Sequence, residues 1–254
     1  MIRPGLVSIS FRMLTTTEII DLCQRAGLQG VEWGGDVHVP HGDVETAQAV
    51  GQATRAACLD VAAYGSYYRV GETEGAPDFA DVLASAQALG APLIRVWAGK
   101  RGSADADAPY REQVVADLKR IATLAAEVGI AVACEFHGGT LTDTNESALA
   151  MYEAVDHPNL LAYWQPPTGP SDQYCLDGLT SLLPRLTNLH VFQWATVDGK
   201  RVRQPLADGA SRWASFLTTA GKAAGDRWAL LEFVRDDAPE QLVADATTLL
   251  SWLR

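Results

Sequence analysis

The segment AVACEFHGGTLTDT (131–144) is a short apolar run that carries Glu135 near its end and His137 two residues on, then turns polar. Side chains alternate along an extended chain, so Glu135 and His137 share one face while Val132, Cys134 and Phe136 take the other. Three later runs behave alike. LLAYWQP (160–166) groups Leu161, Tyr163 and Gln165, and NLHVFQW (188–194) groups His190, Phe192 and Trp194. WALLEFV (228–234) groups Leu230, Glu232 and Val234, with Leu231 and Phe233 opposite. Glu135, Gln165, His190 and Glu232 therefore converge from four successive strands. Burying ionised groups without partners costs on the order of several kcal/mol, so a core gives no reason for this set. A bound cation, or a reaction that needs carboxylates, gives one.

The elements that must position these groups follow from the alternation along the chain. Strand-like runs at 6–10, 30–34, 60–66, 93–99, 131–136, 160–166, 188–194 and 228–234 are separated by amphipathic segments such as TEIIDLCQRAG and YREQVVADLKRIATLAAEVG. Several of these end in a glycine before the next strand (Gly27, Gly90, Gly129), a helix stop signal. Eight β-α units in 254 residues predict a single (β/α)8 barrel domain over 1–254. An open doubly wound sheet is the rival, but the stretch after strand 1, SISFRML, lacks a Gly-rich phosphate loop. The stretch ATVDGKRVRQPLADG (195–209) has a turn signal at Asp198-Gly199, which predicts a small hairpin after the seventh strand. Parity also turns Glu32 and Arg95 inward, where they read first as a structural ion pair under the site.

Composition narrows the partners. With 31 acidic and 20 basic residues the net charge is −11, which disfavours nucleic acid and anionic membrane. Cys23, Cys58, Cys134 and Cys175 are far apart and form no CxxC pair, so reduced thiols in a cytoplasmic protein are expected rather than a zinc site or disulfides. The start MIRPGLVSIS has no cationic segment followed by a long apolar one, so no signal peptide is expected, and no run is long enough to span a bilayer.

In GLQGVEW, LGAPLIRVWAG, CEFHGGTLTDT, NLHVFQW, RQPLADG and ALLEFV the chain resembles the xylose isomerase-like TIM barrel family of sugar isomerases, ketose 3-epimerases, hydroxypyruvate isomerases and endonuclease-IV-type nucleases. The resemblance implies one divalent ion at the barrel mouth, held by acids from strands 5, 6 and 8 and a histidine from strand 7. Glu135, His190 and Glu232 match. At strand 6 the family's Asp-Pro is Gln165-Pro166 here, whose amide oxygen can still ligate a hard cation with one negative charge fewer. Mn²⁺ or Mg²⁺ suits such a set. The resemblance also places Arg203 near the substrate. The nuclease reading is disfavoured, because Thr168 stands where that branch has a histidine and the sequence pI is ≈ 4.8.

An ion of this kind stabilises the enediolate formed when a sugar is deprotonated beside its carbonyl, and two opposed glutamates would move the proton. The expected function is a metal-dependent isomerase or epimerase acting on a small sugar or sugar derivative, with Glu135 and Glu232 catalytic. Elimination from the same enediolate would instead give a keto-sugar or inosose dehydratase, and loss of a ligand charge would suit a non-catalytic sugar-binding barrel. Further candidate substrate contacts are His137, His38, His41, Trp97 and Tyr64, each with a packing or solvated role as its plain alternative. A homo-oligomer is compatible with the sequence.

Overall fold

The computed structural model describes residues 1–73 and 75–254. Eight parallel strands close into a barrel: β1 (Ile2–Val7), β2 (Gly30–Gly34), β3 (Asp60–Arg69), β4 (Leu93–Trp97), β5 (Ala131–Glu135), β6 (Leu160–Trp164), β7 (Leu186–Val191) and β10 (Arg227–Leu231). β8 (Trp194–Val197) and β9 (Lys200–Arg203) form the expected antiparallel hairpin after β7. Around the barrel run α1 (Thr16–Ala26), α2 (Val44–Ala56), α3 (Phe79–Leu89), α4 (Ala108–Glu127), α5 (Asn145–Val155), α6 (Asp172–Leu182), α7 (Ala210–Ala220) and α8 (Pro239–Trp252). The ring closes where β1 pairs with β10, Gly5 beside Leu230.

Local signals set the helix ends. Thr15 and Glu18 form a reciprocal capping box at the start of α1, and Gly27 ends it at φ 69°, a left-handed conformation that costs glycine nothing. The apolar material divides into two shells. A large one lies between sheet and helices, and a small one fills the barrel interior with Val7, Ala62, Ala63, Leu93, Ala133, Tyr163, Trp228 and Leu230. That inner plug is small because the layer above it is polar. All four cysteines are free, and among the described residues no helix is long and apolar enough to cross a membrane.

Three local departures from strict alternation matter for the site. First, the strand expected at 6–10 stops at Val7, and Ser8–Phe11 forms a 3-10 turn. Second, the β2–β3 register shifts: Val31 pairs with Val61, but Glu32 pairs with Ala63. One extra residue in β3 flips everything after it. Tyr64 consequently lies beside Ile94 on the helix-facing side, and Gly65 faces inward beside Arg95. A Cβ on Gly65 would sit 2.7 Å from Glu32 Oε1 and 2.9 Å from Arg95 Nη2, so the bulge delivers the residue that leaves those groups room. Third, β10 ends at Leu231 and Phe233 takes φ 51°, a conformation that a bulky side chain rarely adopts. Its ring, expected on the helix side, instead stands at the barrel mouth.

Candidate metal centre

Glu135, His190 and Glu232 are all buried, and one donor atom from each lies within 4.8 Å of the others. His190 Nδ1 is the focus. Glu135 Oε1 lies 3.3 Å from it, Glu232 Oε2 3.2 Å and Gln165 Oε1 3.3 Å. Three carboxyl or amide oxygens thus surround one imidazole nitrogen. The other nitrogen, Nε2, faces Glu32 Oε2 at 3.3 Å, and Glu32 also accepts from the Tyr163 hydroxyl. A carboxylate behind a histidine is the usual support of a metal-binding imidazole, because it fixes the ring and raises its basicity.

Arg95 binds this group together. It is 2% exposed, and its guanidinium donates to Glu32 Oε1 at 2.7 Å and to Glu135 Oε2. The pair read from the sequence as lying under the site therefore extends into it. Glu135 Oε2 also accepts from Trp97 Nε1 at 2.5 Å, and Oε1 accepts from Gln165 Nε2 at 3.0 Å. Both oxygens of Glu135 are engaged. Glu232 differs: Oε2, though close to His190, makes no hydrogen bond.

The electrostatics follow from these contacts. Burial works against the charge on Glu135, but Arg95 and then His190 overcome it and hold the carboxyl well below the ordinary range. Glu32 is likewise opposed by burial and carried down to about 2, chiefly by Arg95. Glu232 is raised to about 7, first by burial and then by the neighbouring charge of Glu135, with His190 and Arg95 pulling the other way. His190 is raised to about 10 by Glu232 and Glu32, against burial. A cluster with more carboxylates than cations, one carboxylate oxygen unsatisfied, suits a divalent cation. Glu135, His190 and Glu232 would hold it, with the Gln165 carbonyl as a neutral fourth donor.

The remaining sequence candidates sort by what they touch. Trp97 stands at the mouth, its ring 5.0 Å from those of His137 and Tyr67. His137 is half-buried; its Nδ1 lies 2.6 Å from the Gly138 carbonyl, and it lines a cavity of about 420 Å³ that reaches Gln165. Tyr64 is fully buried on the outer side, donating to the Val39 carbonyl at 2.8 Å, and His41 Nδ1 lies 2.8 Å from its hydroxyl. Neither of these two shares the metal cluster's contacts. His38 departs from the expectation most clearly: it is 6% exposed, with Nδ1 on Ser8 Oγ (2.9 Å) and Nε2 on the Leu14 carbonyl (3.2 Å). Both nitrogens are spent inside the protein, so its role is to fasten the loop after β2 to the turn after β1. Arg203 is tied to Asp237 and, at 3.2 Å, to the Val234 carbonyl. Its guanidinium lies 5.6 Å from the Phe233 ring centre, clasping the hairpin to the loop after β10.

Two residues at the mouth escape the sequence reading. Tyr67 has φ 56°, and its ring centre is 5.1 Å from the Arg95 guanidinium carbon. Phe233 packs 5.3 Å from both Phe192 and Trp194, and it borders the 420 Å³ cavity as well as one of about 500 Å³ beside the β1 turn. No alternation rule finds them, since each follows a break in the strand. Tyr163 was findable, because it shares the inward face with Gln165.

Acids and an imidazole thus gather at the C-terminal ends of the strands of a closed parallel barrel. The chain belongs to the xylose isomerase-like TIM barrel family, whose model matches residues 20–254. It is 27% identical over 218 residues to a 3-dehydroshikimate dehydratase of Bacillus anthracis, covering 79% of this chain and 75% of that protein. Among solved structures, it resembles the probable 3-DHS dehydratase AsbF, involved in petrobactin synthesis in Bacillus anthracis. The TM-score is 0.82 at 23% identity, covering 98% of this chain and 99% of that one. It also resembles D-allulose 3-epimerase from Methylomonas sp. in complex with D-allulose, with a TM-score of 0.71 at 15% identity, covering 98% and 96% of the two chains. These structural likenesses show the shared fold.

Proposed function

We propose that this protein is a divalent-metal-dependent lyase that dehydrates a small hydroxylated ketone, with Glu232 as its base. The observation that carries this reading is the inequality of the two glutamates. Glu135 has both oxygens committed to Arg95, Trp97 and Gln165, whereas Glu232 keeps an oxygen without a hydrogen bond. Epimerisation through two opposed acids needs both glutamates free to exchange protons. Elimination needs one.

The bound ion would supply Lewis-acid polarisation of the substrate carbonyl, which acidifies the neighbouring C–H. Mn²⁺ fits the nitrogen donor better than Mg²⁺ does. Glu232 takes the proton from the carbon next to the carbonyl. The electron pair left behind forms a C=C bond as the β-hydroxyl departs, and the carboxylic acid formed on Glu232 returns the proton to that oxygen as water. Arg95 and Glu32 hold Glu135 and His190 in place throughout, and Trp97 supplies an aromatic wall. Support for dehydration also comes from the 27%-identical relative, which is named as a dehydratase of 3-dehydroshikimate, a hydroxylated keto acid.

The test is a proton NMR screen in D₂O with Mn²⁺ removed before acquisition, over 3-dehydroshikimate, inososes and ketoses. Dehydration with an unsaturated product, abolished in Glu232→Gln while the fold is retained, is the expected result. An epimer carrying solvent deuterium and no unsaturated product would instead make Glu135 a second exchanging acid, the outcome the isomerase reading requires.

A further inference from the structure

We propose that Arg201 is the anion-binding residue of the substrate site and that the substrate is a carboxylate, an inference that rests on the dehydratase reading above. The cavity of about 420 Å³ is bordered by Gln165, His137, Thr168, Trp194, Phe233 and Arg201. That volume suits a single small ring. Its floor adjoins the acid-rich cluster, which repels an anionic substrate unless a positive group meets the far end of the molecule.

Three arginines border the two cavities at the mouth, and they are not equivalent. Arg12 is paired with Asp36, and Arg203 with Asp237. Arg201 has no carboxylate partner within 4.0 Å among the described residues, and its contact is the hydroxyl of Thr168. Thr168 lies on the loop after β6, so the bond holds the guanidinium across the opening. A second constraint comes from the hairpin. Residues two apart on a strand share a face, so Arg201 lies on the same side of β9 as Arg203. Arg203 is fastened to the loop after β10, which fixes that face of the hairpin toward the barrel. Asp143 also borders the cavity, but its Oδ2 accepts from the Ser103 backbone N–H at 2.9 Å and it makes no bond to Arg201. Gln165 joins the cavity to Glu135 of the acid cluster, Arg201 is the arginine in its lining, and an anion placed in it points to Arg201. Arginine's planar fork matches a carboxylate with two parallel hydrogen bonds.

The test is calorimetric and needs no turnover. The Mn²⁺-loaded protein is titrated with 3,4-dihydroxybenzoate and with catechol, two probes that share vicinal oxygens and differ in the carboxylate. The wild type is expected to bind the acid more tightly. Arg201→Gln should lose about tenfold to a hundredfold for the acid, the loss of a charged hydrogen bond, while catechol changes less than about twofold. Arg201→Lys should recover part of the difference. An equal loss for both probes, no loss for either, or a wild type indifferent to the carboxylate overturns the proposal. Failure of the dehydration screen with the acid preference intact would reject the reaction and keep the anion site.

Discussion

Removing Arg95 is the sharpest perturbation of the charge network. In Arg95→Met the volume is nearly kept while Glu32 and Glu135, both buried, lose their common partner. Breaking a buried pair by deleting one member costs about 3–5 kcal/mol, because an uncompensated charge remains. For 254 residues the unfolding entropy is about 0.5 kcal/mol/K, so the midpoint of thermal unfolding should fall by about 6–9 °C. Urea titrations of both proteins in EDTA give the free-energy difference directly. Adding Glu32→Gln to Arg95→Met removes one of the two stranded charges and should recover part of the loss. A loss below about 1 kcal/mol, or no recovery in the double variant, would refute the reasoning. It would mean that the carboxylates turn to other partners and that Arg95 does not hold them.

Two further outcomes follow from individual residues. Gln165→Asp returns a negative charge to the set around His190 Nδ1 and should tighten Mn²⁺ binding by about tenfold; calorimetry showing no gain would remove Gln165 from the donor set. At Phe233, whose φ is 51°, a β-carbon in the left-handed region costs about 1–2 kcal/mol, so Phe233→Gly should be the more stable of the pair Phe233→Gly and Phe233→Ala. Urea unfolding compares them, and an alanine variant equal to or better than glycine would mean that the loop relaxes and the strain is not held in place.

The sequence made the barrel legible because each strand is short, apolar and bracketed by helical segments, and no insertion except the hairpin interrupts the alternation. Parity also brought Glu135, His190 and Glu232 to one place, and Gln165 still reaches His190 although the β6–β7 register shifts after Ala162. It failed where the backbone broke step. The extra residue in β3 turned Tyr64 outward, and the positive φ at Phe233 turned that ring from the helices to the mouth. His38 was misjudged for another reason: its position in a loop says nothing of Ser8 and the Leu14 carbonyl, which are brought to it by the turn after β1. Parity assigns a face but not a reach. It placed Glu32 and Arg95 inside and could not show that a guanidinium would extend to Glu135 as well.

The charged layer joins β2, β4, β5 and β7, strands that no single hairpin or β-α-β unit brings together. Slipping any one of them by a residue would swing its charged member out to the oily jacket and strand the others without counter-ions. Misregistered closures therefore carry an electrostatic penalty that apolar packing alone would not impose. In this way the groups that would grip a cation also proofread the assembly of the cylinder around it.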